Sequence, residues 1–317
     1  MHTAKALMAV AVFLTLSSAC SKTDAPVKYA IVYGISAYPY PGLELSYSAN
    51  DAVSVSRLLS KQGYEVILRT DSAASMHNVA RDFATLARIV DDNDLCLFYF
   101  SGHGLFAPTI LEQCDSAVDD GYFSMLLHHK FSYADLCRYI NANALDGKKL
   151  SQLFASLPCG LKVCVVDACY SGALLQRQPV VDYTPSDYDG GELRPPNSLS
   201  TIGDAIRQYS SLKNMGSGIG YTLLASSGSR EVSWDGFFSH SVFSYFFLMA
   251  AEQGDLNRDG VTTASEAYSY IFAACQKYWN TPSQNAEWNF LPAITGGAED
   301  VILFERPTLI NADILIN

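Results

Sequence analysis

The amino-acid sequence predicts an α/β fold in which a mostly parallel central sheet is flanked by helices. Three observations predict it: short apolar segments, amphipathic segments with helical spacing between them, and a composition that supplies a large core. Hydrophobic residues make up 49% of the chain and charged residues only 17%, which excludes a globally disordered chain. Continuous apolar strands that alternate with helices are typical of parallel sheets covered on both faces.

The predicted strands and helices alternate along most of the chain. Short apolar runs predict strands over residues 29–35, 64–68, 95–100, 161–166 and 221–225. Apolar residues at helical spacing predict helices over residues 50–59, 77–90, 241–251 and 264–276. Residues 301–304 are expected to add an edge strand. Residues 107–120 lack a clear period, and residues 176–217 are rich in Pro, Gly and Ser, so both segments are predicted to be loops.

The first residues have the features of an export signal. Lys5 precedes an apolar run over residues 6–16 that is too short to span a membrane comfortably, and small residues then lead to Cys20. The segment that ends at Cys20 resembles a bacterial lipobox, with its aliphatic residue, Leu16, one place earlier than usual. We therefore expect a signal peptide over residues 1–19, a lipid on Cys20 and a tether over residues 20–27. Ordinary secretion with cleavage after Ala19 is the alternative.

The charge and the cysteines limit the partners and the compartment. The formal charge is −11, from 21 basic and 32 acidic residues, and an acidic chain without a basic run is not expected to bind nucleic acid. Lipidation would anchor the protein to a membrane of a bacterial cell envelope, facing the periplasm or the surface.

Export permits disulfides. Within the apolar strands, Cys96 and Cys164 are expected to be buried free thiols. Four further cysteines could pair in a connectivity that the sequence leaves open: Cys114, Cys137, Cys159 and Cys275.

A histidine and a cysteine follow two of the predicted strands. The strand over residues 95–100 continues into Ser-Gly-His-Gly with His103, and the strand over residues 161–166 continues into Asp-Ala-Cys with Cys169. Because the carboxyl ends of parallel strands meet at one edge of a sheet, we expect both side chains at that edge. A cysteine peptidase needs a thiolate nucleophile beside an imidazole. Either motif alone is often structural, so the pair carries the prediction.

The segments YFSGHG, ending at Gly104, and DACYSG, beginning at Asp167, together resemble the caspase-fold cysteine peptidases. The resemblance is closest to their bacterial metacaspase-like branch. Three further segments have counterparts in that family: ANDA over residues 49–52, ASSGS over residues 225–229 and HSVFSY over residues 240–245. The resemblance implies a three-layer caspase-like fold (the caspase-hemoglobinase architecture). It also implies a peptidase domain over residues 28–305, followed by a C-terminal tail over residues 306–317.

The resemblance also assigns roles to the residues around the histidine and the cysteine. It makes His103 the general acid and base and Cys169 the nucleophile, with the backbone N–H groups of Gly104 and Cys169 as the oxyanion hole. Caspases that cut after Asp carry Gln two places before the nucleophile, whereas metacaspases carry Asp, as at Asp167. It adds three residues to the same specificity pocket: Ser48, Asp51 and Ser101.

The two acids of this pocket predict a basic substrate. Carboxylates at Asp51 and Asp167 would bind the side chain of Arg or Lys through charge-assisted hydrogen bonds and repel Asp. By itself, Asp51 also fits an acid that complements the dipole of a helix N-terminus. Trp234 fits either a wall of a substrate subsite or an ordinary core residue.

Residues 255–266 match the sequence pattern of a calcium-binding loop. Such loops carry acids or amides at positions one, three and five, Gly at six and Glu at twelve. The expected Ca²⁺ ligands are Asp255, Asn257, Asp259, the carbonyl of Val261, Thr263 and Glu266. Thr262 stands where an aliphatic residue is usual, and such loops commonly occur in pairs, so a helix–helix turn that binds nothing is the alternative. No organic cofactor is expected.

The sequence thus predicts a cysteine endopeptidase that cleaves after Arg or Lys through a Cys-His dyad, with calcium as a candidate requirement. Its expected partners are a peptide or protein substrate and a membrane, through the lipid anchor. One alternative is a catalytically silent caspase-fold protein that acts as a surface interaction module. A second is a calcium-binding lipoprotein with a vestigial site. Residues 176–217 follow the nucleophile and contain basic residues, so they are also a candidate for self-cleavage.

Overall fold

The structure is a computed structural model that describes eight ranges of the chain: residues 25–39, 44–106, 123–128, 143–168, 220–227, 233–280, 291–295 and 300–315. Several sequence predictions fall outside these ranges, namely the signal peptide, Cys20, Cys114, Cys137, Cys169 and the loop over residues 176–217. Within the ranges, no helix is both long enough and apolar enough to cross a membrane.

Strands and helices alternate through the first half of the described chain. In order, they are β1 (Lys28–Gly34), α1 (Ser48–Lys61), β2 (Tyr64–Thr70), α2 (Met76–Leu86), β3 (Leu95–Gly102), β4 (Gly104–Phe106), β5 (Phe123–Leu126), β6 (Ala144–Asp146), α3 (Gly147–Ala155) and β7 (Leu161–Ala168). The second half contains β8 (Thr222–Ala225), β9 (Asp235–Phe237), β10 (His240–Ser241), α4 (Val242–Gln253), β11 (Thr262–Thr263), α5 (Ala264–Ala274), β12 (Ala293–Thr295) and β13 (Ile302–Phe304). A π-helical turn, Cys275–Trp279, extends α5.

The central sheet of the described residues has the strand order β12-β8-β7-β3-β1-β2. All neighbouring strands run parallel except β12, which is antiparallel to β8. The mostly parallel sheet that the sequence predicts is therefore confirmed. The order reverses at β1, which lies between β2 and β3. In open α/β sheets, ligands bind outside the carboxyl ends of the strands at such a reversal.

Two apolar cores cover the two faces of this sheet and make the fold three-layered. Alternate residues of β3 face opposite sides, so Leu97 and Tyr99 belong to one core, whereas Phe98 and Phe100 belong to the other. The first core also contains residues of α1, α4 and α5. The second contains residues of α2 and α3. The near-continuous apolar character of β3 follows from burial on both sides.

A glycine allows α1 to begin directly against the end of β1. A Cβ atom on Gly34 would lie 2.3 Å from the carbonyl oxygen of Ser48 and 2.4 Å from the Cβ of Ala52. Any larger residue would push the first turn of α1 away from the sheet. Because Ser48 and Asp51 lie in that turn, this close contact also fixes their position relative to the strand ends.

Two of the predicted elements differ in the structure. Residues 301–304 are not an edge strand of the central sheet, because β13 pairs antiparallel with β11 in a separate two-stranded sheet. Leu303 and Phe304 pack into the core of α1, α4 and α5, and the edge position belongs to β12, which the sequence analysis did not predict. The helix predicted over residues 77–90 ends at Leu86. Ile89 is 54% exposed, so it does not continue the buried stripe of that helix.

Four cysteines of the described chain are buried free thiols: Cys96, Cys159, Cys164 and Cys275. This confirms the prediction for Cys96 and Cys164. Cys159 and Cys275, which the sequence left open as disulfide partners, belong to cores on opposite faces of the sheet. The sheet therefore separates them and excludes a bond between these two residues.

Candidate active site

The register of β3 and β7 brings the two predicted catalytic segments together. Ser101 is the register partner of Asp167, and Gly102 is the partner of Ala168. His103 and Cys169 each follow one member of the second pair directly. Cys169 itself lies outside the described residues. The sequence prediction that the two motifs follow neighbouring parallel strands is confirmed for the strand residues that precede them.

Tyr38, which follows β1, contacts His103 at the edge of the sheet. The backbone N–H of His103 donates a hydrogen bond to the Tyr38 hydroxyl at 2.9 Å, and the two ring centroids are 4.8 Å apart. A Cβ atom on Gly102 would lie 2.6 Å from the same hydroxyl, which explains the glycine before the histidine. The imidazole is 7% exposed, so it faces a nearly enclosed site. The sequence analysis missed Tyr38, because an aromatic residue beyond a strand end carries no chemical signature.

A pocket opens beside His103 at the carboxyl ends of β3 and β7. The space in and above it, open solvent included, is about 280 Å³. The lining consists of Leu45, Ser48, Ser101, Gly102, His103, Asp167, Ala168, Ser233, Trp234, Asp235 and Ser241. Four of the residues predicted from the sequence therefore line one pocket: Ser48, Ser101, His103 and Asp167.

Asp167 forms the polar centre of this pocket and accepts hydrogen bonds from three serines. The hydroxyl of Ser233 donates to it at 2.5 Å, and the hydroxyl of Ser241 donates to its other oxygen. Ser244 donates to that oxygen both from its hydroxyl at 2.6 Å and from its backbone N–H at 3.1 Å. Burial raises the pKa of Asp167, and the serine hydrogen bonds oppose that rise. The carboxylate is therefore held in place by the segment that leads into α4.

Asp51 lies beneath the pocket and does not line it. Its side chain is fully buried and accepts a hydrogen bond from the Ser101 hydroxyl at 2.9 Å and from the backbone N–H of Ser241 at 3.1 Å. Both donors belong to other elements, so Asp51 does more than complement the dipole of α1. Burial raises its pKa well above the usual value, and the charges of Asp167 and Asp235 raise it further.

A third carboxylate, Asp235, completes the acidic site, and the sequence analysis missed it. Asp235 begins β9 and accepts hydrogen bonds from the backbone N–H groups of Ser46 at 2.9 Å and Tyr47 at 3.2 Å. Burial, with a smaller contribution from Asp167, raises the pKa of Asp235 to about 6. The feature of the sequence that could have indicated Asp235 is its position directly after Trp234, a candidate wall of the substrate subsite. Trp234 is 8% exposed, lines the pocket and also belongs to the core; its packing in the core is confirmed, and its role as a wall of a substrate subsite stays a prediction.

The charge of this pocket favours a cation. Asp167 and Asp235 line it, and the lining residues of the described chain include no Lys or Arg. Asp51 is close enough to both carboxylates for their charges to raise its pKa. Each carboxylate has a raised pKa, because burial and neighbouring negative charge disfavour ionisation. A guanidinium or ammonium group would relieve this repulsion and supply hydrogen-bond donors.

Two serines at the end of β8 hold the residue that precedes Cys169. The backbone N–H of Ala168 donates to the Ser226 hydroxyl oxygen at 3.2 Å, and that hydroxyl donates back to the Ala168 carbonyl at 3.4 Å. The Ser227 hydroxyl donates to the same carbonyl at 3.5 Å. These serines belong to the predicted Ser-rich motif, whose position at the end of β8 is thereby explained. Gly104, a predicted oxyanion-hole residue, begins β4 opposite Met125 of β5.

The predicted calcium loop connects α4 to α5. Asp255 accepts hydrogen bonds from the backbone N–H groups of Asp259 and Gly260 at 3.1 and 2.9 Å. Glu266 accepts from those of Asn257 and Thr263 at 3.3 and 3.0 Å and forms a capping box with Thr263. Thr262 pairs with β13. In the described part of the chain, no three His, Cys, Asp or Glu side chains are gathered closely enough to hold a metal ion.

Comparisons with known proteins agree with this architecture. A family model described as Caspase domain matches residues 27–281, and a search of curated proteins found no match. The crystal structure of protein GSU0716 from Geobacter sulfurreducens shares 16% sequence identity, covering 92% of this chain and 97% of that protein, with a TM-score of 0.52. For caspase-1 from Spodoptera frugiperda, the identity is 12%, the coverage 90% and 94%, and the TM-score 0.49. The first of these likenesses is one of fold.

Proposed function

The chain belongs to the caspase-domain family of cysteine peptidases, and we therefore propose that it is an endopeptidase that cleaves after Arg or Lys. The observation that carries the proposal is the register of β3 and β7. Gly102 opposes Ala168, and His103 and Cys169 are the next residues in the sequence after these two strand ends. The acidic pocket adjoins the same two strand ends. Nucleophile, base and specificity site would therefore serve one bound peptide.

In the proposed reaction, the thiolate of Cys169 attacks the carbonyl carbon of the scissile bond. Backbone N–H groups of Gly104 and Cys169 would stabilise the oxyanion, and protonated His103 would donate its proton to the departing amine. The acyl-enzyme then reacts with a water molecule that neutral His103 deprotonates; the sulfur leaves as the product acid is released, which restores the thiolate of Cys169 and protonated His103. Tyr38 and Ser226 would position the two strand ends, because they bind the backbone next to each reacting side chain.

The acidic pocket supports the preference for Arg or Lys. A basic side chain in the pocket would meet Asp167 directly, with Asp51 beneath it and Asp235 at one side. An aspartate side chain there would add a further negative charge among carboxylates that already resist ionisation. The expected selectivity is therefore strong against acidic residues and moderate against neutral ones.

A peptide-cleavage assay tests this function. Fluorogenic peptides that differ only in Arg, Lys, Gln or Asp at the cleavage site are incubated with the full chain under reducing conditions. We expect cleavage of the Arg and Lys peptides, little cleavage of the Gln peptide and none of the Asp peptide. The Cys169→Ala variant is expected to be inactive, while Cys164→Ala, which removes a buried thiol of the core, keeps activity. Equal cleavage by wild type and Cys169→Ala, or no cleavage at all, would reject the peptidase and favour a silent interaction module.

We further propose that the loop over residues 255–266 binds Ca²⁺. Its support is a helix–loop–helix arrangement in which α4 precedes the loop and Glu266 lies in the first turn of α5. Arg258 and Gly260 have positive φ values of 64° and 95°, so the loop is tightly turned. To bind Ca²⁺, the carboxylates of Asp255 and Glu266 would have to break their hydrogen bonds to the backbone N–H groups of the loop and coordinate the ion instead. The bound ion would then neutralise part of the negative charge of the loop.

Calorimetric titration of the full chain with CaCl₂ tests the calcium proposal without relying on activity. We expect saturable binding to wild type and its loss in Asp259→Ala, with Asp313→Ala as a matched surface control. Heat no different from that of buffer dilution at millimolar Ca²⁺ would reject the site.

We also propose that the protein is exported and anchored to a membrane of a bacterial cell envelope by a lipid on Cys20. The support is the sequence of the first residues, where Lys5, an apolar run and small residues precede the cysteine. Mass spectrometry of the protein from a bacterial host is expected to find an acylated N-terminal Cys20. A mature chain that begins at Cys20 without acyl groups would instead indicate ordinary secretion.

A further inference from the structure

The pocket receives two of its lining residues from one tight hairpin. Strands β9 and β10 pair antiparallel, and a bulge at Gly236 makes Asp235, and not Gly236, the register partner of Ser241. Gly236 has a φ of 103°, which residues with a side chain rarely adopt. Asp235 and Ser241 thereby stand opposite each other, and both line the pocket. The shape of the pocket therefore depends on the shape of this hairpin.

The turn of the hairpin is not favoured by its own residues. Phe238 and Ser239 connect the two strands, with φ values of 51° and 59°. In two-residue hairpin turns with positive φ at both positions, Asn and Gly are the preferred residues, because a Cβ atom is disfavoured in this conformation. Since this turn contains neither, contacts from outside it must hold its backbone.

His240 makes such a contact. Its ring nitrogen Nδ1 lies 2.7 Å from the carbonyl oxygen of Phe238. Because a carbonyl oxygen only accepts, Nδ1 carries the proton and donates it. In the neutral ring, Nε2 then accepts from the hydroxyl of Ser54 in α1 at 2.9 Å. The side chain is fully buried, and burial lowers the pKa of His240, which favours this neutral form. The imidazole therefore links the turn to α1.

Ser241, the next residue, connects the hairpin to two acids of the site. Its backbone N–H donates a hydrogen bond to Asp51 at 3.1 Å, and its hydroxyl donates one to Asp167. If the turn opened, Ser241 would move away from both carboxylates, and Asp235 would lose its place opposite Ser241. The arrangement of all three acids therefore depends on the turn.

We propose that His240 is a positioning residue for substrate selectivity: its Nδ1–H holds the turn, and the hairpin then holds Ser241 and Asp235 in the acidic pocket. His240 is not among the described residues that line the pocket, so it acts through these two neighbours. The inference rests on the proposed preference for Arg or Lys, because that preference is what a displaced hairpin would weaken.

Two substitutions in the full chain separate the two ring nitrogens. The amide nitrogen of Asn can take the place of Nδ1, whereas the amide of Gln reaches the place of Nε2. We compare kcat/KM for an Arg peptide with that for a peptide carrying citrulline, a neutral analogue of Arg. His240→Asn should keep this ratio within about threefold of wild type, whereas His240→Gln should lower it about tenfold.

The order of these two variants decides between positioning and packing. Gln is closer in size to His than Asn is, so a role in filling the core predicts that His240→Gln is the milder change. A lower ratio for His240→Asn than for His240→Gln, or equal ratios for the two variants, would overturn the proposal.

A glycine in the turn should remove the need for His240. Ser239→Gly adopts a φ of 59° without a Cβ penalty, so in the His240→Gln background it should restore the ratio to within about threefold of wild type. If His240→Gln alone does not fold, the double variant is expected to fold and to show the restored ratio. A double variant that stays unfolded or keeps the low ratio would overturn the proposal.

Hydrogen exchange separates this inference from the proposed function, because it needs no substrate. In the full chain, a peptide covering residues 235–245 should exchange faster in His240→Gln than in wild type, since the Ser241 amide is released from Asp51. His240→Asn and the double variant with Ser239→Gly should match wild type. This exchange pattern in a protein that cleaves neither peptide would reject the peptidase and support the positioning role. Equal exchange in all four proteins would overturn that role whatever the activity.

Discussion

The hydroxyl of Ser101 donates a hydrogen bond to the carboxylate of Asp51 across 2.9 Å. Ser101 is also the register partner of Asp167, so one serine lies between a carboxylate beneath the pocket and a carboxylate on its wall. This arrangement keeps two buried acids close together without an ion pair among the described contacts. The oxygens of both acids are therefore without a cationic partner among the described contacts, and a cationic ligand would favour their ionised forms.

Removing the third carboxylate should weaken selectivity for a basic side chain. Asp235→Asn keeps the shape of Asp235 and an acceptor for the amides of Ser46 and Tyr47, but it removes one charge from the pocket. We expect kcat/KM for an Arg peptide to fall about tenfold, equivalent to ~1.4 kcal/mol. The kcat/KM for a peptide with neutral citrulline in place of Arg should change little. Asp313→Asn, at an exposed acid, is the control, and an equal loss for both peptides would contradict the charge argument.

Selectivity for Arg should depend on pH through Asp235. The pKa of Asp235 is raised to about 6, so the carboxylate loses its charge as the pH falls through that value, while an Arg side chain stays cationic. The ratio of kcat/KM for Arg and citrulline peptides, in which titration of the catalytic pair cancels, should rise between pH 5 and 7 with a midpoint of about 6. In Asp235→Asn this step should vanish. A flat ratio in wild type would contradict the prediction.

The same carboxylate should reduce the stability of the fold at neutral pH. The folded pKa of Asp235, about 6, exceeds its ordinary value of 3.8, so the folded chain binds more protons than the unfolded chain in that window. The free energy of unfolding therefore falls as the pH rises from 4 to 6. In urea unfolding at pH 7.5, Asp235→Asn should be more stable than wild type by about 1–3 kcal/mol. If wild type and Asp235→Asn have equal free energies of unfolding at both pH 4 and pH 7.5, the charge of Asp235 does not destabilise the fold.

The sequence was sufficient to predict the parallel sheet because β1, β3 and β7 are apolar on both faces and end in recognisable motifs. The pocket that includes Ser101 and Asp167 was predicted through the resemblance of the two motifs to the caspase-fold peptidases. The sequence did not reveal Asp235 or Tyr38. Whether Asp235 and Tyr38 reach the site depends on where their loops pack against the sheet. The spacing of apolar residues does not predict how a loop packs. The position of β13 depended likewise on tertiary contacts with β11 and not on its apolar character.

Ser226 should act as a positioning residue for the nucleophile. Its hydroxyl binds both the N–H and the carbonyl of Ala168, so it holds the two peptide groups on either side of the Ala168 Cα, and the second of these leads to Cys169. Ser226→Ala is expected to lower kcat about tenfold and to leave KM within about twofold, because a small misplacement of a reacting atom lowers the rate more than substrate binding. Ser227→Ala, whose bond to the same carbonyl is longer at 3.5 Å, is the matched control. Equal kcat values for the two variants would argue against the role.

A partly buried ion pair on the face of the sheet that α2 and α3 cover should stabilise the fold. Arg69 donates two hydrogen bonds of 2.9 Å to Asp82, and the hydroxyl of Tyr33 donates a third of 2.8 Å. Burial acts to raise the pKa of Asp82, but these donors outweigh it and lower that pKa below 3.8. The stability from this group is therefore present above pH 3.8 and is lost as the pH falls through the folded pKa.

Breaking this pair from one side should cost more than removing both members. Arg69→Met leaves the Asp82 carboxylate, whose side chain is 3% exposed, with Arg81 at 3.6 Å as its remaining cation. Because Arg81 is 52% exposed, it compensates the buried charge weakly, and we expect a loss of about 2 kcal/mol in urea unfolding at pH 7. The loss should shrink at pH 4, because the weakly paired carboxyl then takes up a proton and loses its charge. Arg69→Met combined with Asp82→Leu should recover part of the stability, since no buried charge remains. A double variant less stable than Arg69→Met alone would show that packing of Asp82 against Tyr33, and not the uncompensated charge, dominates at this site.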